Sequence, residues 1–175
     1  MILVETIKKN KKLRIFDFDD TLVKTDSIIR VIHSDSSITE LTPGEYAVYK
    51  PKGGDRFDYS DFSQVKNPQM IKAVTEVLRK MAAKGGRRGV YILTARANAR
   101  PIEQYISDIG INNVKVIALN NSDPEAKADW VEKQVKNKGY DDVYFIDDAQ
   151  SNIKAVKRRL QNLGVKHNVQ LMKGK

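Results

Sequence analysis

Short apolar runs alternate along this chain with longer segments whose apolar residues recur at helical spacing. The runs predict strands at residues 13–16, 89–93, 114–119, 143–146 and 169–172. The intervening segments predict helices that begin at Pro68, Pro101 and Pro124, and a last helix over residues 153–163. Strands that alternate with helices of this length indicate βαβ units. We therefore predict an α/β fold, with a parallel sheet between two layers of helices, in a single domain of residues 1–175.

This topology should bring the polar residues that follow the strands to one edge of the sheet. Right-handed crossovers place the carboxyl ends of parallel strands on the same edge, where ligands bind in such folds. Five acids, one hydroxyl and one amine are poor choices for stability there, but they suit a metal ion and a phosphoryl group. These residues are Asp17, Asp19, Asp20, Thr94, Lys127, Asp147 and Asp148.

The acidic segment after the first predicted strand has two interpretations. Asp17, Asp19 and Asp20 stand close together where the strand leaves the sheet, and clustered acids repel each other. Hard oxygen ligands of this kind suit Mg²⁺, which neutralises carboxylates and retains several water molecules. The alternative is a strand that ends in a solvated acidic turn. Residues elsewhere in the chain favour the metal, because acids and an amine are predicted at the same edge.

Residues 25–66 interrupt the alternation and are predicted to form an insertion, here called the cap, over the end of the first strand. The cap has a predicted strand at 28–32, a capping box at Thr42 and Glu45, and an aromatic run at 57–62. It is expected to be a flap that is too short to bury a core of its own. Its aromatic residues lie among basic ones, which suits either nucleotide binding or a hairpin that packs on its own domain.

Composition limits the partners that this chain is expected to have. The formal net charge is +9, but the lysines are spread along the chain, which favours weak nucleic-acid binding over a dedicated nucleic-acid interface. Basic residues at 154 and 157–159 are expected on a solvated helix face, with phosphate-backbone contact as the alternative. The lack of cysteine excludes disulfides. No segment resembles a signal peptide or a membrane span, so a cytoplasmic location without a membrane partner is expected.

The polar motifs resemble those of the haloacid dehalogenase-like superfamily of phosphohydrolases, which have a Rossmann-like three-layer fold. The resemblance covers nearly the whole chain and is carried by four motifs. Lys133 and Lys136 lie on the same predicted helix as Lys127, which is preferred because it follows the helix start most closely. The motifs are Asp17-Phe18-Asp19-Asp20-Thr21-Leu22, Thr94 in ILTAR, Lys127, and Asp147-Asp148 in FIDDAQSN.

The resemblance implies a phosphatase that forms an aspartyl-phosphate. Asp17 would be the nucleophile, and Asp19 would protonate the leaving oxygen and then activate water. An acid at position 19 argues against a dehalogenase, which has no leaving alkoxide to protonate. Mg²⁺ would be bound by the Asp17 carboxylate, the Asp19 main-chain carbonyl and Asp147, with Asp148 either a ligand or a residue that orients one.

The same family resemblance implies that Thr94 and Lys127 bind the phosphate. Lys127 could also form an ion pair with Asp17. Arg96 either contacts the substrate phosphate or is solvated. Asn152 either orients an aspartate or caps a helix. Trp130 is expected in the core rather than as a platform on which a nucleobase stacks. His33 and His167 receive no role.

The short cap and the ILTAR motif resemble the phosphatase domain of phage polynucleotide kinase-phosphatases. That resemblance implies a nucleotide or a polynucleotide end as substrate. A protein phosphatase or a small-metabolite phosphatase of the same chemistry is one alternative. A catalytically silent binding or structural protein is another alternative. A site that no longer catalyses a reaction should, however, lose carboxylates that destabilise the fold.

Overall fold

The computed structural model describes residues 10–173. Residues 1–9, where the sequence predicts no signal peptide, and residues 174–175 lie outside the described part. The ten strands of this part are β1 (Lys12–Phe16), β2 (Val23–Lys24), β3 (Ile29–Ile32), β4 (Ile38–Leu41), β5 (Arg56–Asp58), β6 (Gln69–Met70), β7 (Arg88–Thr94), β8 (Lys115–Ala118), β9 (Asp142–Asp147) and β10 (Lys166–Leu171). Its five α-helices are α1 (Pro43–Val48), α2 (Lys72–Ala83), α3 (Arg100–Asp108), α4 (Pro124–Lys138) and α5 (Gln150–Leu163).

Five parallel strands form the main sheet, in the order β10-β9-β1-β7-β8. The chain runs outward from β1 through β7 to β8 and then returns to the other side of β1 with β9. The strand order therefore reverses between β1 and β9, the place where ligands bind in open α/β sheets. Phe16 is aligned with Ile146, so Asp17 and Asp147 leave neighbouring strands side by side.

Side-chain alternation along the strands produces two cores, one on each face of the sheet. Leu13 and Ile15 of β1 pack on α4 and α5, whereas Phe16 belongs to the core that contains α2 and α3. All three side chains are fully buried. The protein is thus a three-layer α/β sandwich of the Rossmann-like kind, which confirms the predicted fold class.

The helices next to the site begin and end as their sequences predict. Asp123 caps α4 by accepting a hydrogen bond from the Glu125 amide, and Pro124 occupies the first turn. Gly139 ends α4 and Gly164 ends α5, both in the left-handed conformation that glycine adopts without a steric penalty. These caps fix where α4 starts, and so they fix the position of Lys127.

The start of α2 was predicted wrongly. Asn67 and Pro68 have the form of a helix start, but α2 begins at Lys72. Gln69 and Met70 instead pair with β2, and the Ile71 amide donates to the Leu22 carbonyl at 2.8 Å. This two-stranded ribbon of β2 and β6 joins the two ends of the cap, a long-range pairing that local helix signals do not reveal.

The cap has more structure than its length suggested. Strands β3, β4 and β5 form an antiparallel sheet, and α1 has the predicted capping box between Thr42 and Glu45. Ile29, Val31 and Leu41 are buried beneath four aromatic side chains of the cap. The expectation that the cap buries no core of its own is therefore wrong, because aromatic residues supply a large apolar area from few positions.

Within residues 10–173, no helix is both long enough and apolar enough to span a bilayer.

Candidate active site

A cavity of 760 Å³ opens at the carboxyl edge of the main sheet, beneath the cap. The ends of β1, β7 and β9, the first turns of α4 and α5, and one face of the cap all contribute to its lining. Each residue of the predicted constellation reaches this cavity. The residues are Asp17, Asp19, Asp20, Thr94, Lys127, Asp147 and Asp148, together with Arg96 and Asn152.

Asp17 lies at the floor of the cavity with both carboxylate oxygens bonded. Oδ1 accepts a hydrogen bond from Lys127 Nζ at 2.8 Å, and Oδ2 accepts one from Thr21 Oγ1 at 2.9 Å. Burial raises the pKa of Asp17 well above its ordinary value and the charge on Asp147 adds to the rise, although Lys127 opposes it. Asp17 is thus fixed in orientation, but its negative charge is only partly compensated.

Lys127 connects the first and last acidic motifs. Its ammonium group is 2.8 Å from Asp17 Oδ1 and 2.7 Å from Asp147 Oδ2, and the residue is only 3% exposed. Burial opposes its charge, but the two carboxylates outweigh that effect and raise the pKa of Lys127 above its ordinary value. Lys133 and Lys136, the alternatives on the same helix, are exposed. The expected ion pair with Asp17 is therefore present, and only Lys127 of these three lysines enters the cavity.

Asp147 is completely buried at the end of β9 and is bound from three directions. Besides Lys127, the Ala149 amide donates to Oδ1 at 2.9 Å and Asn152 Nδ2 donates to Oδ2 at 3.0 Å. Asn152 therefore orients an aspartate, which was one of its two predicted roles. Oδ1 accepts one hydrogen bond and so keeps a second lone pair for another ligand.

Asp148 is the more accessible acid of the last motif. Burial raises the pKa of Asp148 to about 6, a hydrogen bond with Asp17 opposes the rise, and Asp147 and Asp20 add to it. One oxygen each of Asp17, Asp147 and Asp148 lie within 4.8 Å of one another. Three carboxylates share the charge of one lysine at this point. The donor set therefore suits a hard divalent cation, with all-oxygen ligands and a remaining negative charge.

Arg96 forms an interaction that neither of its predicted roles included. Its Nε and Nη2 groups donate to the two carboxylate oxygens of Asp19, both at 2.8 Å. Its Nη1 group donates to the Gln64 carbonyl at 3.0 Å, and its guanidinium lies 4.6 Å from the ring centroid of Phe62. Arg96 is 6% exposed, so it is not solvated. It joins the predicted acid–base residue to the end of the cap.

Two buried hydroxyl groups support this site: Thr94 lines the cavity, and Thr21 lies behind Asp17. Thr94 ends β7, is 1% exposed, and accepts a hydrogen bond from the Arg96 amide at 3.2 Å. Thr21 stands in the first motif but received no role from the sequence, although it donates to Asp17. Its position four residues after Asp17, beyond a turn at Asp20 in the left-handed region (φ 61°), explains the contact.

Three other residues lie away from the cavity lining. Trp130 packs edge-on against Tyr91, with 5.0 Å between the ring centroids, and belongs to a core as predicted. His33 bonds to Asp55 and Thr39 within the cap, at 2.7 Å in both cases. His167 contacts the Val165 carbonyl at 2.8 Å.

No family model and no curated protein sequence matches this chain. Among solved structures, the chain is similar to the crystal structure of the Legionella pneumophila effector Ceg4 with an N-terminal yeast Hog1p sequence. The sequence identity is 14% and the TM-score is 0.45, over 99% of this chain and 93% of that one. A similarity of this size carries no inference about activity, so function is inferred below from this chain's own residues.

Proposed function

We propose that this protein is a Mg²⁺-dependent phosphomonoester hydrolase of the haloacid dehalogenase-like kind, in which Asp17 is transiently phosphorylated. The observation that carries the proposal is the environment of Asp17. Its carboxylate is oriented by Lys127 and Thr21 at the floor of a cavity, and Asp19 lies at the same cavity two residues further on. A nucleotide or a polynucleotide end is the favoured substrate, and the expected location is cytoplasmic.

Asp17, Asp147 and Asp148 would hold the metal ion with their carboxylates, and Asp19 would contribute its main-chain carbonyl. The fit is supported by the three carboxylate oxygens within 4.8 Å of one another and by the single lysine that opposes their charge. When bound, Mg²⁺ would screen the repulsion between the anionic nucleophile and the anionic substrate. Asn152 and the Ala149 amide would keep Asp147 in place.

Two displacements at phosphorus would complete the reaction. An oxygen of Asp17 attacks the phosphorus atom, the bond to the leaving oxygen breaks, and Asp19 gives that oxygen a proton. Asp19 then removes a proton from water, whose oxygen attacks the phosphorus of phospho-Asp17 and releases inorganic phosphate. Lys127 keeps one N–H donor free after its bonds to Asp17 and Asp147, and the Thr94 hydroxyl can also donate, so both can bind phosphate oxygens.

Arg96 would change partners during this sequence. Its bidentate bond directs two N–H donors at the Asp19 carboxylate, a geometry that suits a group accepting a proton from water but not one giving a proton to the leaving group. A dianionic phosphate gives Arg96 a competing anion, and movement of the guanidinium toward it would free both Asp19 oxygens to face the leaving group. This exchange reconciles the observed pairing with the substrate contact predicted for Arg96.

The test is Mg²⁺-dependent phosphate release from an aryl phosphate, nucleoside monophosphates and oligonucleotides with a terminal phosphate. Asp17→Asn should abolish release, because an amide is not nucleophilic, and a chelator should abolish it in the unchanged protein. Asp20→Asn is the matched control and should retain most activity, since asparagine tolerates the left-handed backbone of that position. Release that survives in Asp17→Asn would refute the aspartyl-phosphate mechanism.

Two alternatives have distinct outcomes in the same assay. A protein phosphatase or a small-metabolite phosphatase of the same chemistry would release phosphate from the aryl phosphate and discriminate against nucleotides. A silent binding or structural protein would release none, while Mg²⁺ still raised its melting temperature through the carboxylate cluster.

A further inference from the structure

The cavity above Asp17 has two sides of different chemistry. The part of the lining formed by the cap presents aromatic rings, and the part formed by the loops after β7 and β8 presents amide groups. We call them the tyrosine wall (Tyr46, Tyr49 and Tyr59) and the amide wall (Asn98, Asn120 and Asn121). A ligand whose phosphate binds at Asp17 would extend its remaining part between these walls.

The tyrosine wall is held in place by contacts within the cap. The hydroxyl groups of Tyr46 and Tyr59 are hydrogen-bonded at 2.7 Å, and the rings of Phe57 and Tyr59 are stacked with centroids 6.1 Å apart. Tyr49 donates its hydroxyl proton to Asp55 at 2.8 Å. Rings that are fixed before binding lose little entropy when a flat group stacks on them. A planar, uncharged aromatic group is therefore a suitable ligand for this wall.

The amide wall supplies hydrogen-bond donors whose orientation is fixed. Asn98 accepts the Arg100 amide proton at 3.1 Å through its side-chain oxygen, and Asn121 accepts that of Asp123 at 2.9 Å. Neither Nδ2 group donates a hydrogen bond to another of residues 10–173, so both can donate to a ligand. Sugar hydroxyls and the ring nitrogens or carbonyls of a nucleobase are partners for such donors, whereas an unsubstituted phenyl ring has none.

The charges that line the cavity provide for only one phosphate. Of the residues that the structure describes, Arg96 and Lys127 are the only basic ones that line the cavity, and both are already bonded to aspartates. Five carboxylates of the described residues line the same cavity, and the proposed metal ion would serve the phosphate at Asp17, so the lining offers a second phosphate no further cationic side chain. The volume of 760 Å³ falls within the range of about 300–1,000 Å³ that is typical of small-molecule sites.

We propose that the substrate is a nucleoside monophosphate, whose base lies between the tyrosine wall and the amide wall. This inference rests on the proposed phosphatase function and narrows it. A mononucleotide supplies a flat base, polar edges and one phosphate. A polynucleotide end or a nucleoside diphosphate carries further phosphates, for which the described lining supplies no additional cationic side chain.

The first experiment compares kcat/KM for a nucleoside 5′-monophosphate with that for ribose 5-phosphate, which has the same phosphate and sugar but no base. Base–aromatic stacking predicts a preference of about 5- to 100-fold for the mononucleotide. The nucleoside diphosphate and an oligonucleotide with a terminal phosphate should be poorer substrates than the mononucleotide. Equal turnover of ribose 5-phosphate, or a better rate on the oligonucleotide or on phenyl phosphate, would overturn the inference.

A pair of cap variants locates the base. Tyr59→Leu removes an exposed ring of the tyrosine wall and should reduce the ratio of the two kcat/KM values several-fold. Val48→Ala changes an 80% exposed residue of the same cap that does not line the cavity, and it should leave the ratio unchanged. If the ratio of kcat/KM for the mononucleotide to that for ribose 5-phosphate were the same in Tyr59→Leu and in the unchanged protein, the base would not bind at the tyrosine wall.

Calorimetry separates failure of this inference from failure of the proposed function. The Asp17→Asn protein with Mg²⁺ should bind the mononucleotide more tightly than ribose 5-phosphate, even though it turns over neither. If ribose 5-phosphate is hydrolysed but the mononucleotide has no binding advantage, the phosphatase proposal stands and the substrate inference is wrong. If no phosphate ester is bound or hydrolysed, both are wrong.

Discussion

Lys127 places one ammonium group against two carboxylates that are almost fully buried. Replacing it by methionine keeps the packing volume but leaves Asp17 and Asp147 without a cation. Loss of one partner from a buried ionic group costs about 3–5 kcal/mol, so we expect the free energy of unfolding of Lys127→Met to fall by that amount at neutral pH. Urea denaturation measures the change, with Lys133→Ala on the exposed face of the same helix as control. Acidification should restore part of the loss as Asp17, whose pKa is raised by burial, is protonated. Equal stability of the two variants would contradict the ion-pair geometry.

Asp148 makes stability depend on pH. Because the folded state raises its pKa to about 6, the folded protein binds a proton more readily than the unfolded chain between about pH 4 and 6. Stability therefore falls as pH rises through this interval, and burial of Asp17 acts in the same direction. Without metal, Asp148→Asn should be more stable than the unchanged protein at pH 8, by about 1 kcal/mol after solvent screening, and equally stable at pH 4.

Magnesium should reverse this dependence. The ligands bind metal when deprotonated, so Mg²⁺ should raise the melting temperature more at pH 8 than at pH 5. The rise should be smaller in Asp148→Asn if Asp148 is a ligand. Both effects are measured by titrating Mg²⁺ into the protein in calcium-free buffer and recording the melting temperature by thermal denaturation. A stabilisation that is the same at both pH values would contradict metal binding by these carboxylates.

The sequence predicted which residues converge and also the Lys127–Asp17 ion pair, but it did not predict the pairing of Arg96 with Asp19. Asp17, Thr94 and Asp147 follow parallel strands, and the direction of those strands alone brings them together. The bond between Arg96 and Asp19 depends on two loops 77 positions apart and on where Phe62 of the cap lies, and no local pattern encodes that. Thr21 was overlooked because a single threonine in a turn has many possible roles.

At the scale of elements, the start of β7 is determined by a close approach to the loop before β9. A Cβ atom on Gly89 would overlap the Tyr140 hydroxyl oxygen and lie 2.7 Å from Cε2 of Tyr91. Tyr140 is only 5% exposed, so its ring has little room to move away. Gly89→Ala should therefore lower the free energy of unfolding by about 1–3 kcal/mol in urea denaturation. Gly85→Ala is the matched control, since nothing lies within 4 Å of its added methyl group. It should be neutral or slightly stabilising.

The elements that were predicted correctly are those stabilised by local signals. The capping box of α1, the Asp-Pro start of α4 and the glycines after α4 and α5 act within a few residues, so the sequence shows them directly. The ribbon between β2 and β6 was missed because its partners are more than forty positions apart. The cap core was missed because packing among aromatic side chains depends on the fold of the segment and not on its length.

Over the whole molecule the formal net charge is +9, but the arginines of α5 do not form a free basic surface. Arg159 bonds to Glu125, Asp129 and Glu132 of α4, and Arg158 also pairs with Glu125. Cations that are neutralised by protein carboxylates release no counterions on meeting DNA. Within residues 10–173, the exposed Lys154 and Lys157 of the same helix form no ion pair with a carboxylate, so they are available for weak contacts.

Binding to a single-stranded oligonucleotide should therefore be weak, with a dissociation constant no tighter than the micromolar range at physiological salt, and with a shallow dependence on salt. Arg159→Ala should leave this affinity within about twofold and lower the melting temperature, because the arginine joins α4 to α5 rather than facing a ligand. Lys157→Ala should weaken binding slightly and leave the melting temperature unchanged. Fluorescence anisotropy across a salt series, with thermal denaturation of the same variants, measures both properties. Tight, steeply salt-dependent binding that is lost in Arg159→Ala would show instead that α5 is a nucleic-acid interface, and it would favour a polynucleotide end over the mononucleotide as substrate.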